Sequence, residues 1–480
     1  MIMKLDTCVT GKVTAFEVKE ACAPLEAFCR FLKNPNVFFL DSALPNGEIS
    51  RYSFLGFSPF LTIKTKHHKI LIKDKDGSQE CEGSPFEYLR KILNRYSLGN
   101  ISNSLPFQGG AVGYFGYDLC HYIEKLPNNS VDDLELPDIY MGFYDIIISY
   151  DNLLEKCFVV VIDFGMDNTL NDRIGQITEV LCGKSEEPGE MFNDRDTDRV
   201  VATELRSNFT KDSYMKALRQ IKKYISAGDV YQVNLSQRIE ARIDMPAYEL
   251  YKRLRKINPA PFACYLGFDD VSIISSSPER FLRVCNRQVQ TRPIKGTRPR
   301  GKNALEDEEM KQALLSSQKD NAELTMITDL ERNDLGRVCN YGSIKVIEEK
   351  ALETYPTVHH LVSTVIGELH ERYDIIDLLR ATFPGGSITG APKIRAMQII
   401  DELEPYQRSV YTGSIGYIGF NGNLDLNIAI RTFIMKGETV YFQVGSGIVA
   451  DSDAEDEYEE TLHKAKALIE SLNPCLTLSS

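Results

Sequence analysis

The sequence predicts an α/β (α+β) protein in which large, mostly antiparallel β-sheets carry helices on their outer faces. Three patterns predict it. In the N-terminal part, the runs DIIISYD (145–151) and CFVVVIDF (157–164) are β-branched and bounded by turn residues. A strand over Val230–Arg238 alternates, with Tyr231, Val233 and Leu235 on one face and Gln232, Asn234 and Ser236 on the other. The segment Ser414–Val444 reads as a β-meander with turns at Asn421-Gly422 and Lys436-Gly437. Its middle strand sets Leu426, Ile428 and Ile430 against Asp425, Asn427 and Arg431. The helical component is clearest at Tyr214–Ala227, where Tyr214, Leu218, Ile221 and Ile225 recur at helical spacing and Gly228 suits the position just past the end.

The chain has 480 residues, enough for one large domain or two to three ordinary ones. With 43% hydrophobic and 26% charged residues it can bury a full core without disulfide or metal staples. One stretch, residues 183–205, is polar and acidic, most clearly over GKSEEPGEMFNDRDTDR; it reads as a linker between an N-terminal domain, 1–182, and a C-terminal domain, 206–475. The formal net charge of -13 repels phosphate backbones, which argues against a nucleic-acid partner. An anionic substrate would need local positive charge from a metal, Arg or Lys. The 11 cysteines are scattered without a C-x-x-C pair, the usage of a reducing cytosol. The opening residues lack an apolar signal core, and the most apolar run, Phe158–Phe164, is too short to span a bilayer. A cytoplasmic protein without membrane contact is expected.

Four features could carry chemistry. RPIKGTRPR (292–300) holds one Lys and three Arg in a stiffened backbone. Neighbouring cations disfavour a protonated amine, and a neutral amine is a nucleophile or base; a solvated basic loop has the same composition. FPGGSITGAPK (383–393) is Gly-rich before a helix, as anion-binding loops are, but Ala391 stands where a P-loop needs Lys, so a tight turn fits equally. Two acidic helices follow. Asp320 and Glu323 share a face in KDNAELTMITDLERND, and Glu457, Glu460 and Lys464 share one in EDEYEETLHKAKAL, away from the apolar stripe of Tyr458, Leu462, Ala465 and Ile469. Solvated faces look the same; the functional reading brings the carboxylates around a hard cation such as magnesium. Last come the polar face of Gln232 and Asn234 and the SSSPERF segment with Glu279, where an exposed sheet face is the plain alternative.

Together and in order, these segments resemble the chorismate-utilising enzymes, which include anthranilate synthase, aminodeoxychorismate synthase, and the isochorismate and salicylate synthases. The resemblance rests on GDVYQVNLSQR, SSSPERF, RPIKGTRPRG, KDNAELTMITDLERNDLGRV, VHHLVSTV, FPGGSITGAPKIRAMQIIDELEP, YTGSIGYIGF, NIAIRTF and QVGSGIVADSDAEDEYEETLHKA, which span Gly228 to Ala465. RYSFLG and GGAVGYFGYDL fit the N-terminal half of the aminating members. The resemblance implies two β-sheets stacked as a sandwich, as in anthranilate synthase component I.

The family also implies roles. Mg2+ would lie between the acidic helices and a substrate carboxylate, on Glu323 and Glu460 with Glu457 nearby or through water. Arg431 and Tyr411 would meet the enolpyruvyl carboxylate, while Gly445, Gly447 and Lys464 contact substrate carboxylates. Gly296, Thr297, His360 and Ser387 would line the substrate pocket, and Glu279 would protonate the departing 4-hydroxyl. Two positions discriminate within the family. The water-adding members carry a Lys where this chain has Gln232, which cannot act as that base. Anthranilate synthases usually read P-I-A-G-T where this chain has Lys295 as the third residue of Pro293–Thr297, a form that resembles the aminodeoxychorismate synthases. The implied reaction joins chorismate and ammonia into 4-amino-4-deoxychorismate through a Lys295 adduct. No Gly-x-Cys-x-Gly nucleophile segment occurs, so a separate glutamine amidotransferase subunit is the expected ammonia source. LDSALPNGEISRYSFLG resembles a region where family members hold tryptophan, and Ser42, Arg51, Ser53, Pro259 and Phe262 could line such a pocket. An anthranilate-forming enzyme and a non-catalytic tryptophan-binding scaffold are the alternatives.

Overall fold

The computed structural model describes residues 8–473 apart from 45–46, 100–104, 166, 184–201, 203 and 356–357. Two 12-stranded sheets form the frame, and every pairing between named strands is antiparallel. Phe38, Phe54, Leu266 and Ile273 of one sheet pack with Val112, Tyr114, Tyr140 and Tyr417 of the other, so a buried apolar layer joins them as a sandwich. Helices cover the outside. Pro24–Phe31, Leu170–Cys182, Ala247–Ile257 and Ala454–Leu472 contribute Phe28, Ile177, Leu250 and Leu468 to the core outside the first sheet. Pro85–Arg95 and Ile375–Thr382 contribute Phe86, Leu89 and Ile376 outside the second. The expected fold class is what the structure has.

The expected halves do not each own a sheet. Strand Gly110–Phe115 pairs residue for residue with Ser414–Gly419, and Phe38–Asp41 pairs with Phe262–Phe268. Most of the proposed linker, 183–205, lies outside the described residues.

Local predictions hold where chain periodicity decides them. The helix runs Lys211–Ser226; Thr210 caps it by accepting the Ser213 N–H, and Gly228 follows with φ +82°. The two β-branched runs form adjacent strands, Ile146–Asp151 and Lys156–Asp163. The meander requires correction. Its turns are where expected, with Gly422 at φ +80° and Gly437 at φ +59°, but the four strands are two hairpins in different sheets. Ser414–Gly419 and Leu424–Asn427 belong to the second sheet, Thr432–Lys436 and Thr439–Ile448 to the first. The chain crosses between them at 428–431, where Arg431 takes φ +50°.

Candidate active site

Strands of both sheets, two helices and a short turn meet at one end of the sandwich. Strand Gln232–Arg242 pairs with Thr439–Ile448 in a register that sets Asn234 opposite Gly447 and Ser236 opposite Gly445. A Cβ on Gly447 would lie 2.4 Å from Gln232 Nε2, so a larger residue would make the tip of Gln232 shift, and 3.7 Å from Lys295 Nζ, an ordinary contact. The polar face of the Gln232 strand is not the solvated face of an exposed sheet: Gln232, Asn234 and Ser236 are all buried. Tyr231, which precedes the strand, is exposed instead of joining Val233 and Leu235 in the core.

Lys295 and Thr297 lie on strand Ile294–Pro299, paired with Val358–Glu368. The register slips between them at Gly296, which takes φ +75° and whose missing side chain would strike Leu314 and Asp320. The irregularity re-aims the strand where its functional residues stand. Thr297 Oγ1 is 2.9 Å from His360 Nδ1 across the pair. Lys295 Nζ donates to the Ser387 carbonyl at 2.9 Å, from the short 3-10 turn Gly386–Ile388.

The basic segment does not surround Lys295 with cations, as composition had implied. Arg292 pairs with Glu353 at 2.6 Å, Arg298 with Asp320 at 2.9 Å and Arg300 with Asp307 at 2.7 Å. The groups that sense the Lys295 charge are Glu279, Glu323 and Glu460, each held lower by it than it would otherwise be. Glu279 is buried, and burial raises its carboxyl above the usual range against the opposing pull of Ser387 and Lys295. Its Oε1 accepts the Ile294 N–H at 3.3 Å. A buried carboxyl that favours its proton, next to an amine, is the pairing expected of an acid that protonates a leaving group.

The acidic helices Gln318–Gly336 and Ala454–Leu472 bring Glu323, Glu457 and Glu460 to this end. They are not equivalent. Glu323 is raised by burial first and by Glu457 and Asp320 after it. Burial would raise Glu460 too, but Lys464, 2.7 Å away, and Lys319 outweigh it and hold it down. Glu457 is buried with its oxygens taken up by Lys319 at 2.8 Å, Ser452 at 2.6 Å and Ser446. Its expected place as a metal ligand therefore needs Lys319 to leave. Among the described residues no three His, Cys, Asp or Glu side chains stand together as a ready-made metal cage. Two carboxylates from facing helices are nevertheless a hard, all-oxygen pair, the protein share that magnesium takes when substrate oxygens and water complete its shell. Lys464 also donates to the Gly445 carbonyl at 3.0 Å.

Three groups here lack the partner their chemistry wants. Gln232 donates to Glu323 at 3.2 Å, but its buried Oε1 has no hydrogen-bond partner. His360 Nε2 is likewise unpartnered, and burial, with the nearby Arg431 charge, lowers the imidazole to about 3, leaving it neutral near pH 7. Arg431 is partly buried and meets only Asn258 Oδ1 at 3.3 Å; no carboxylate among the described residues pairs with it, and desolvation lowers its pKa. Tyr411, also buried, is raised by burial and stays protonated. Orphaned polar groups and an uncompensated guanidinium are what an anion rich in hydrogen-bonding oxygens would satisfy.

The residues expected around tryptophan fall elsewhere. A cavity of about 300 Å³ is lined by Ser42, Arg51 and Phe262 with Asp41, Tyr417 and Asp425, and contains none of the residues above. Ser53 sits behind it, donating to Asp41 at 3.4 Å, and Pro259 is not in its wall. Asp41 is tied to Tyr251 at 2.8 Å and to Arg255.

Sequence reasoning missed Asn258, which holds Arg431, and Lys319, which holds Glu457. It also missed the buried pair Arg408–Glu404 at 2.6 Å, whose guanidinium donates to the carbonyls of Asn234 and Ile388 and so ties the Gln232 strand to the Ser387 turn. Lys319 and Glu404 stood inside segments already singled out; nothing in the pattern marks Asn258 or Arg408.

Residues 36–470 match the family described as chorismate binding enzyme. The chain is 40% identical over 460 residues to anthranilate synthase component 1 of Acetivibrio thermocellus, covering 94% of this chain and 92% of that one. It is 41% identical over 430 residues to aminodeoxychorismate synthase component 1 of Bacillus subtilis (strain 168), covering 89% and 91%. The solved structure of anthranilate synthase component I from Streptococcus pneumoniae TIGR4 is similar with a TM-score of 0.78 at 34% identity, over 87% of this chain and 91% of that one. No helix among the described residues is long and apolar enough to cross a membrane.

Proposed function

The chain belongs to the chorismate-binding enzyme family and is a chorismate-utilising synthase; on that premise we propose that it aminates chorismate at C4, making 4-amino-4-deoxychorismate from ammonia. One observation carries the choice of product: a primary amine, Lys295 Nζ, stands near the Gly447 backbone among Glu279, Ser387 and Gln232.

In this reading Arg431 and Tyr411 receive the enolpyruvyl carboxylate, and His360 and Thr297 hold the ring from the side. The Lys295 nitrogen forms a bond to C2 through its lone pair. The ring double bonds shift, the C4–O bond breaks, and Glu279 gives its proton so that the hydroxyl leaves as water. Ammonia then bonds to C4, the double bonds shift back, and Lys295 leaves C2 with its electron pair as the Glu279 carboxylate takes back a proton from the ammonia nitrogen. Gln232, an amide in place of a base, leaves water unactivated. Glu323 and Glu460 would hold a magnesium ion, which when bound supplies positive charge to the ring carboxylate. Glu457 serves as the buried anchor behind them. Ammonia reaches the site from a separate amidotransferase subunit, and the 300 Å³ cavity takes tryptophan.

The test is the position of the amine. Protein with chorismate, magnesium and ammonium, followed by the lyase that releases p-aminobenzoate, should yield p-aminobenzoate. Fluorescent anthranilate in its place would assign the alternative, to which the 40% identity with an anthranilate synthase component lends support. Lys295→Ala should cut the C4 product by roughly two orders of magnitude or more, the usual scale for losing a covalent nucleophile. Full turnover in that variant would rule out the adduct.

A further inference from the structure

Behind the site, two carboxyls of the TDLERND segment are buried without any role in the chemistry above. Glu331 Oε1 accepts the Gly386 N–H at 3.1 Å, and Oε2 accepts the Thr291 hydroxyl at 3.3 Å. Lys393, the nearest ammonium, donates instead to Asp334 at 2.5 Å and to the Thr382 carbonyl at 2.8 Å. Gly386 is the residue immediately before Ser387, and a Cβ there would stand 2.6 Å from Leu330 and 3.2 Å from Glu331 Oε1. The carboxylate therefore grips the bare backbone of the turn directly. The same turn offers its Ser387 carbonyl to Lys295 Nζ at 2.9 Å, and the Ser387 side chain is close enough to Glu279 to pull its carboxyl down.

The geometry points to Glu331 as a positioning residue: through the Gly386 N–H it fixes the turn from which Ser387 registers the Lys295 amine against the Glu279 acid. This rests on the roles proposed for Lys295 and Glu279. A charge effect accompanies the mechanical one. Burial, then Asp334, push Glu331 up to about 7, with Lys393 opposing, and Glu279 and Glu331 repel each other. The charged groups facing Glu279 from other elements are Lys295 and Lys464; Arg337 faces Asp334. An ionised Glu331 thus helps Glu279 keep its proton, and neutralising it should let Glu279 ionise at lower pH.

Chorismate consumption by the full chain with magnesium and ammonium, followed against pH, tests this. Glu331→Ala should lower kcat by about 30- to 100-fold with KM for chorismate within about threefold, the signature of misplaced reacting groups and intact binding. Glu331→Gln, which can still accept the Gly386 N–H, should recover most of kcat while its high-pH limb moves down by about half a unit or more. If the Ala variant does not fold, the Gln profile alone decides. A Gln variant with wild-type kcat and an unmoved limb, or a folded Ala variant with wild-type kcat, overturns the positioning role. Glu279→Gln run in parallel separates the two readings: full activity there sinks the acid assignment itself, whereas its inactivity beside unchanged Glu331 variants sinks the positioning role alone.

Discussion

Arg431 is a cation placed where it costs the fold free energy, and Arg431→Met measures that cost. The guanidinium is partly buried and meets one neutral acceptor, Asn258 Oδ1, at 3.3 Å. An incompletely hydrated charge without a counter-ion costs roughly 1–3 kcal/mol at such a depth, and one long hydrogen bond returns about 1 kcal/mol at most. Methionine is unbranched and flexible, so it can fill much of the same space. The variant should therefore be more stable than the parent by about 1–2 kcal/mol. A chain of this length moves only about 1 °C per kcal/mol, so the urea midpoint is the better readout. The same substitution removes the one guanidinium offered to a substrate carboxylate, a charge-assisted contact worth about 2–4 kcal/mol, so kcat/KM for chorismate should fall by roughly 30- to 1000-fold. A variant less stable than the parent, or one with unchanged kcat/KM, would refute the view of Arg431 as a guanidinium held ready for an anion.

Three other outcomes are expected. Arg408→Met strands the buried Glu404 carboxylate and should cost about 3–5 kcal/mol in urea unfolding, with a smaller loss when Glu404→Gln is added; equal losses would mean the pair is not coupled. Lys319→Met frees Glu457 and takes a positive charge from the Glu323–Glu460 pair, so calorimetric titration should show Mg2+ binding about tenfold tighter or more; unchanged or weaker binding would contradict it. His360 has its folded pKa lowered to about 3, below the unfolded value near 6.5, so the unfolded chain binds the extra proton and stability falls with acidity between those values, by about 1.4 kcal/mol per pH unit from this residue. His360→Gln should flatten that part of the pH–stability curve; an unchanged slope would deny the buried, neutral state.

Local periodicity was enough to find the helix at 211–226 and the strand pairs around residues 146–163, because their apolar spacing has no competing interpretation. It failed at the meander. Alternation and Asn-Gly turns say where strands begin and end, but nothing in Ile428–Arg431 says that the chain leaves one sheet for the other. Lys295 illustrates the same limit in chemistry. Composition surrounded it with Arg292, Arg298 and Arg300, yet each arginine is claimed by a carboxylate elsewhere in the chain, such as Glu353, Asp320 or Asp307, and the Lys is left among acids. The residues named for the catalytic end came from ordered motifs, and the fold gathers them. What holds them, namely Asn258, Glu331 and the Arg408–Glu404 pair, are ordinary polar residues whose burial only the tertiary fold reveals.

The pairing of Gly110–Phe115 with Ser414–Gly419 has a consequence for how the chain is born. Gly110–Phe115 can pair early with Ile139–Tyr144, but its other edge cannot find Ser414–Gly419 until some three hundred more residues have left the ribosome, tens of seconds at about 5–20 residues per second. Throughout that time Val112, Tyr114 and their neighbours present a sticky, unpaired edge to the cell. Slower elongation should therefore raise aggregation of the nascent chain, and swapping one half for that of a relative should leave this strand edge without its partner.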